Sequence, residues 1–180
     1  TSWRDPDGRK GWFISDEAGI QVHWLPVPYS NHMSYNQRTA SFFKFAWGAA
    51  RKAASLPADV VFATSTPLTI ALPGVYAARR QKVPMVFEVR DLWPELPIAI
   101  GALRNPVMRQ VAQRLERFAY QSSAEIVALS PGMAEGIAAT GVPAAGVTEI
   151  PNSADLHLFY PNPDWRTAFR TQQQIGEEKL

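Results

Sequence analysis

The sequence predicts an α/β fold built on a parallel sheet covered by helices on both faces. Three observations carry this. From residue 59 onward, short apolar runs alternate with longer segments of helical spacing, the rhythm of successive strand–helix units. The runs "DVVFATS" (59–65), "PMVFEV" (84–89), "AEIVALS" (124–130) and "GVTEIP" (146–151) are nearly continuous in apolar residues rather than strictly alternating, as strands buried on both sides are. Each run then gives way abruptly to hydroxyls, charges, amides and proline.

The elements follow in order. "GWFISDEAGIQVHWLPV" predicts two short extended pieces about a turn at Asp16 to Gly19, with Ile20, Val22 and Trp24 alternating with polar residues. Pro26 and Pro28 end it, and "YSNHMSYN" is a polar loop. Residues 36–54 have helical spacing. Stepping about 100° per residue, Phe42, Phe45, Ala46, Ala49, Ala50 and Ala53 share one side, with Phe43 and Trp47 at its flank. Gln37, Ser41, Lys44, Gly48, Arg51 and Lys52 gather opposite. An apolar arc of roughly 200° exceeds the ~100° that a single contact needs, so this helix should have two apolar neighbours.

"PLTIALPGVYAARRQ" predicts a helix with Pro73 in its path. Asn105 and Pro106 are an N-cap and first-turn pair for a helix to about Gln121. Its Val107, Met108, Val111, Ala112, Leu115, Phe118 and Ala119 keep helical spacing. "PGMAEGIAATG" is a short helix stopped by Gly141. After Pro161 the composition turns polar, and residues 162–180 are expected to be a linker or peripheral helix.

Composition narrows the function. A chain of 180 residues makes one well-filled domain or slightly more. A formal charge of +2 gives no reason to expect a nucleic-acid partner, and the absence of cysteine excludes disulfide and thiolate chemistry. No apolar run approaches the roughly 20 residues of a spanning helix. The opening "TSWRDPDGRKGW" has neither a signal pattern nor an initiator Met, and is expected to be an entry partway into a longer polypeptide.

In open parallel sheets ligands bind outside the carboxyl ends of the strands. Four segments fall there: "TSTP" (64–67), "RDLWPE" (90–95), "SPGM" (130–133) and "PNSAD" (151–155). Their convergence predicts a polar cleft. For Ser65 and Ser130 a structural capping role competes evenly with a binding one. Glu88 and Arg90 share one side of their strand, so they could equally be a structural ion pair or a ligand-facing group. Asp91 has no evident local partner, and a carboxylate presented beside a guanidinium suits a hydroxyl-rich ligand. Asp91 with Glu95 would also fit acid–base chemistry, although spacing alone does not assign it. Dinucleotide and P-loop glycine motifs are absent, "LSPGM" is not a nucleophile elbow, and His23, His32 and His157 have no metal-ligand spacing.

In their order and spacing, "FEVRDLWPE", "LERFAY", "AEIVALSPGM", "GVP" and "IPNSADLHLFYP" resemble the N-terminal domain of family 4 glycosyltransferases. The resemblance extends to the branch that builds bacterial surface polysaccharides, N-acetylfucosamine-type transferases included, and covers residues 10–161. It implies one half of a GT-B fold, in which two Rossmann-like domains face each other across a cleft. Residues 1–161 would be an incomplete acceptor-side domain, without the first strand and its glycine-rich loop and without the donor domain. The implied activity is retaining transfer of a sugar from a nucleotide-sugar donor to a saccharide or lipid-linked saccharide, with no metal or other cofactor. The implied location is cytoplasmic, peripheral on the inner face of the inner membrane.

The family's His-Asp pair falls on Arg90 and Asp91, so Asp91 fits as the catalytic residue and Arg90 departs from the pattern. Asn152 matches the Asn of an "IPNG" segment, with Ser153 in place of Gly. The substrate-binding candidates are therefore Arg90, Glu95, Ser65, Ser130 and Asn152. Within residues 36–54, Phe43 and Trp47 beside Lys44 and Arg51 are candidates for contact with a membrane surface, or else cover a neighbouring helix or the missing first strand. The alternative to the enzyme is a non-catalytic α/β module that binds a saccharide or a protein.

Overall fold

A computed structural model describes residues 11–30, 32–99, 101 and 103–175. Residues 1–10, where the expected entry from a longer polypeptide falls, and 176–180, the end of the expected linker or peripheral segment, lie outside them. The chain opens with an antiparallel hairpin, β1 (Phe13–Glu17) and β2 (Ile20–Trp24), followed by α1 (Tyr35–Ala53). Then come β3 (Val61–Thr64), α2 (Ala71–Gln81), β4 (Met85–Val89), α3 (Glu95–Ala99) and α4 (Pro106–Gln121). β5 (Glu125–Ala128), α5 (Pro131–Ala139), β6 (Val147–Glu149) and α6 (Pro163–Gln172) complete it.

The hairpin turns where the sequence requires. Ala18 and Gly19 both take positive φ, at 55° and 85°, the pair of left-handed residues whose twist matches that of the flanking strands. Asp16 Oδ1 accepts the Gly19 N–H at 3.0 Å, and Phe13 stacks on its cross-strand partner Trp24. α1 begins slightly before the expected start because Ser34 and Gln37 form a reciprocal capping box. It has the two neighbours that its wide apolar arc requires. One is α2, where Gln81 Nε2 donates to the Ala53 carbonyl at 3.0 Å. The other is the segment after β2, where Tyr29 stacks on Phe42 and Ser41 Oγ donates to the Pro28 carbonyl.

β3, β4, β5 and β6 pair in that order, all parallel. Successive right-handed crossovers in one direction bring α2, α4 and α5 to the same face. Met85, Phe87, Val89, Ile126 and Ala128 are buried there with Val75, Ala119, Tyr120 and Ile137. The opposite face is less covered by the described residues: Phe62 is 59% exposed. Pro73 lies in the first turn of α2, where no intrahelical N–H bond is lost, so the helix passes through it. Gly74 brings α2 onto the sheet, since a Cβ there would stand 3.0 Å from Ala63 Cβ and 2.9 Å from Met85 Sδ. α4 is capped by Asn105, as its sequence implies, and α5 by Ser130.

Candidate functional site

The carboxyl ends of β3 and β4 are stitched together by three consecutive hydroxyl residues. Thr64 lies opposite Glu88 in the parallel register, and its Oγ1 donates to that carboxylate. Ser65 is 3% exposed, and its Oγ accepts the backbone N–H of Arg90 at 2.9 Å. Thr66, at φ +110°, turns outward, and its Oγ1 donates to Asp91 Oδ2 at 2.9 Å. Each hydroxyl therefore fixes one residue of the charged lip that β4 opens into.

This changes one reading of the sequence and completes another. Glu88 is not paired with Arg90: its carboxylate is taken by Thr64, and Arg90 makes no ion pair among the described residues. Asp91, without a local partner as its sequence implies, gains one from 25 residues earlier, just beyond the neighbouring strand. The product is an exposed carboxylate held in place beside an exposed guanidinium. One can accept hydrogen bonds from sugar-type hydroxyls and the other donate to oxygen, which is the chemistry of carbohydrate recognition. Ser65, nearly buried, serves that arrangement by holding the backbone of Arg90.

A sequence model of the glycosyl transferase 4-like domain matches residues 3–153. The chain belongs to the glycosyl transferase 4-like family. The Anabaena protein HepE shares the fold. Its structure in complex with UDP-glucose superposes with a TM-score of 0.51 at 16% identity, over 76% of this chain and 33% of that one. Its complex with UDP and glucose gives 0.50 at 17% identity, over 79% and 34%. This glycosyl transferase 4-like chain thus spans about a third of the HepE chain. Among curated proteins no sequence match was found.

The other candidate residues of this family member are dispersed. Ser130 is the N-cap of α5, its Oγ accepting the Met133 N–H at 3.3 Å, so the capping role is filled. Asn152 is exposed beyond β6, two strands from β4 and so about 10 Å away across the sheet. Glu95 opens α3 and lines a cavity of about 320 Å³ between α3, α4 and α5. Among the described residues no three His, Asp or Glu side chains gather as a metal-ligand set.

Sequence reasoning missed an unusual carboxyl. Glu116 on α4 is only 6% exposed, and its Oε1 accepts from Tyr120 Oη at 3.3 Å. Burial pushes its pKa up to about 7, with the negative charge of Glu95 adding to the effect. Burial likewise raises that of Tyr120, and Glu116 reinforces it. The signal was present: Glu116 falls one turn after Ala112 and nearly one before Ala119, within the apolar stripe of its own helix.

Proposed function

We propose that this chain is the acceptor-side domain of a retaining glycosyltransferase. It would move a sugar from a nucleotide-sugar to a lipid-linked saccharide in the synthesis of a cell-surface polysaccharide. The observation that carries the reading is the stitched lip, in which Thr66 aims Asp91 and Ser65 anchors Arg90 at the carboxyl edge of the sheet. Asp91 accepts hydrogen bonds from sugar hydroxyls and stabilises the positive charge that develops on the transferred ring, and Arg90 binds substrate oxygens. Transfer breaks the bond from the sugar carbon to the nucleotide's phosphate oxygen and forms one to the acceptor hydroxyl oxygen, whose proton passes to the departing phosphate. The family and the HepE complexes with UDP-sugar ligands support a nucleotide-sugar donor.

An apolar carrier on the acceptor is supported by a cavity of about 230 Å³ beside the lip. Leu25, Val27, Tyr29, Phe42, Phe45 and Ile70 line it, and Pro67, the residue after Thr66, forms its rim. A polar edge adjoining an apolar recess suits a ligand with one sugar end and one hydrocarbon end.

The test is Asp91→Asn in a transferase that carries this domain together with a donor-binding domain. Turnover should fall by about two orders of magnitude with an unchanged circular dichroism spectrum, the scale of a lost electrostatic contribution to the transition state. Wild-type turnover in that variant would remove Asp91 from the chemistry. Absence of any transfer in the wild-type protein would leave the saccharide-binding module as the better reading.

A further inference from the structure

The cavity between α3, α4 and α5 is separate from the lip and carries its own chemistry. Its polar wall consists of Glu95, Gln113, Glu116 and Arg117, and its apolar wall includes Pro94 and Ile98. A volume of about 320 Å³ is at the small end of ligand pockets, which suits one sugar ring rather than an oligosaccharide or a nucleotide.

Glu116 makes this more than a packing gap. A carboxyl buried without an ion pair is costly, and an apolar side chain would fill the same position more cheaply. Its first oxygen has one long hydrogen bond, at 3.3 Å from Tyr120, and its second has no partner among the described residues. Arg117 makes no ion pair with it among the described residues: its Nε turns back to the carbonyl of Gln113 at 3.4 Å, although its charge offsets part of the effect of burial. The side chain lines the cavity, where water or a bound hydroxyl can reach its carboxyl.

We propose that this cavity is a subsite for one neutral pyranose unit of the acceptor saccharide, with a ring hydroxyl bonded to Glu116. A neutral ring fits better than an anion, which would face Glu95 and Glu116 together. A carboxyl close to half-protonated at neutral pH can donate as well as accept, as hydroxyl groups do. The apolar wall supplies a surface for the C–H face of the ring. The elbow Leu92–Pro94 joins the two sites, since Leu92 packs where a Cβ on Gly136 would stand and Pro94 forms part of the cavity.

The inference rests on the sugar-transferase reading, and its test is independent of turnover. The isotope-labelled 180-residue chain is titrated with methyl α-D-glucopyranoside and methyl β-D-galactopyranoside, and amide shifts are followed by NMR. At least one glycoside should bind in the millimolar range and shift Ile98, Gln113, Glu116, Arg117 and Thr140. Glu116→Leu should weaken binding about tenfold or more by removing the buried hydrogen-bonding group, whereas Glu116→Gln should stay within about threefold. Gln113→Ala, at an exposed position that does not endanger folding, should also weaken it. Shifts confined to residues 64–66 and 90–91, no shifts with either glycoside, or wild-type binding by Glu116→Leu and Gln113→Ala would overturn the subsite. Loss of transfer in Asp91→Asn without cavity binding would leave the transferase reading standing and this one refuted. Cavity binding with no transfer by the wild-type two-domain protein would do the reverse.

Discussion

Asp91 depends on a single hydroxyl, and Thr66→Val tests that dependence. Valine keeps the shape and removes the donor. A hydrogen bond to a charged group is worth about 1.5–3 kcal/mol, so turnover in the two-domain transferase should fall about tenfold, with Thr66→Ser retaining most of it. Equal turnover in both variants would mean that Asp91 is held by something else. Glu116 gives a second test at this scale. Its folded pKa of about 7 exceeds its ordinary value of 4.5, so between those values the folded chain binds more protons than the unfolded one. Stability should therefore be full below about pH 4.5, decline as pH rises to about 7, and stay level above, with a ceiling on the order of 3 kcal/mol. Glu116→Gln should melt above the wild type at about pH 8 and level with it at about pH 4.5. A gap independent of pH would show that the carboxyl is not buried in its neutral form. The identities of the lip residues were legible in "TSTP" and "RDLWPE", but their pairing was not. Thr64–Glu88, Ser65–Arg90 and Thr66–Asp91 are 24 or 25 residues apart and meet only through the parallel register.

Elements with strong local signals were the legible ones. α4 begins at the Asn105–Pro106 pair because those residues satisfy its first N–H groups, and the hairpin closes at Asp16–Gly19 because only a left-handed pair fits there. α3 escaped notice because five residues are too few to show a period. What the sequence could not show was which stripe meets a neighbour. Val107, Met108 and Val111 keep helical spacing yet stay exposed, since the first half of α4 extends beyond the core. The contact between α2 and the sheet is decided at Gly74. Alanine there gains about 1 kcal/mol of helix propensity. It also places a methyl 3.0 Å from Ala63 Cβ, which cannot rotate away, and overpacking of this kind costs about 1–3 kcal/mol. Gly74→Ala should therefore be neutral to destabilising despite its better propensity. Gly136→Ala should cost less, because the atom it meets is the mobile Cδ1 of Leu92. Denaturant midpoints for the two variants decide it: a more stable Gly74→Ala would mean that α2 can shift off the sheet.

For the whole molecule the question is how an acceptor on a hydrocarbon carrier would reach the lip. Among the described residues no helix is long and apolar enough to cross a membrane. α1 carries the parts for attachment at a membrane surface. Trp47 is 70% exposed and Phe43 53%, one turn apart on the same helix, so the described residues leave half or more of each open. Lys44 and Arg51 are exposed beside them, and Lys52 is half-buried next to Arg51. Aromatics that enter the headgroup region next to cations that meet anionic lipid give weak, salt-sensitive binding. The same helix contributes Phe42 and Phe45 to the apolar cavity next to the lip, so docking through α1 would bring that recess close to the bilayer. The chain should then cosediment with anionic liposomes at low salt, release as salt is raised, and ignore neutral liposomes. Replacing Lys44, Arg51 and Lys52 with Glu should abolish the binding without altering the circular dichroism spectrum, and Trp47→Ala should weaken it while leaving the salt dependence in place. A wild-type chain that stays in the supernatant, or a triple variant that still sediments, would return α1 to a purely structural role and leave the acceptor's carrier to be found by another surface.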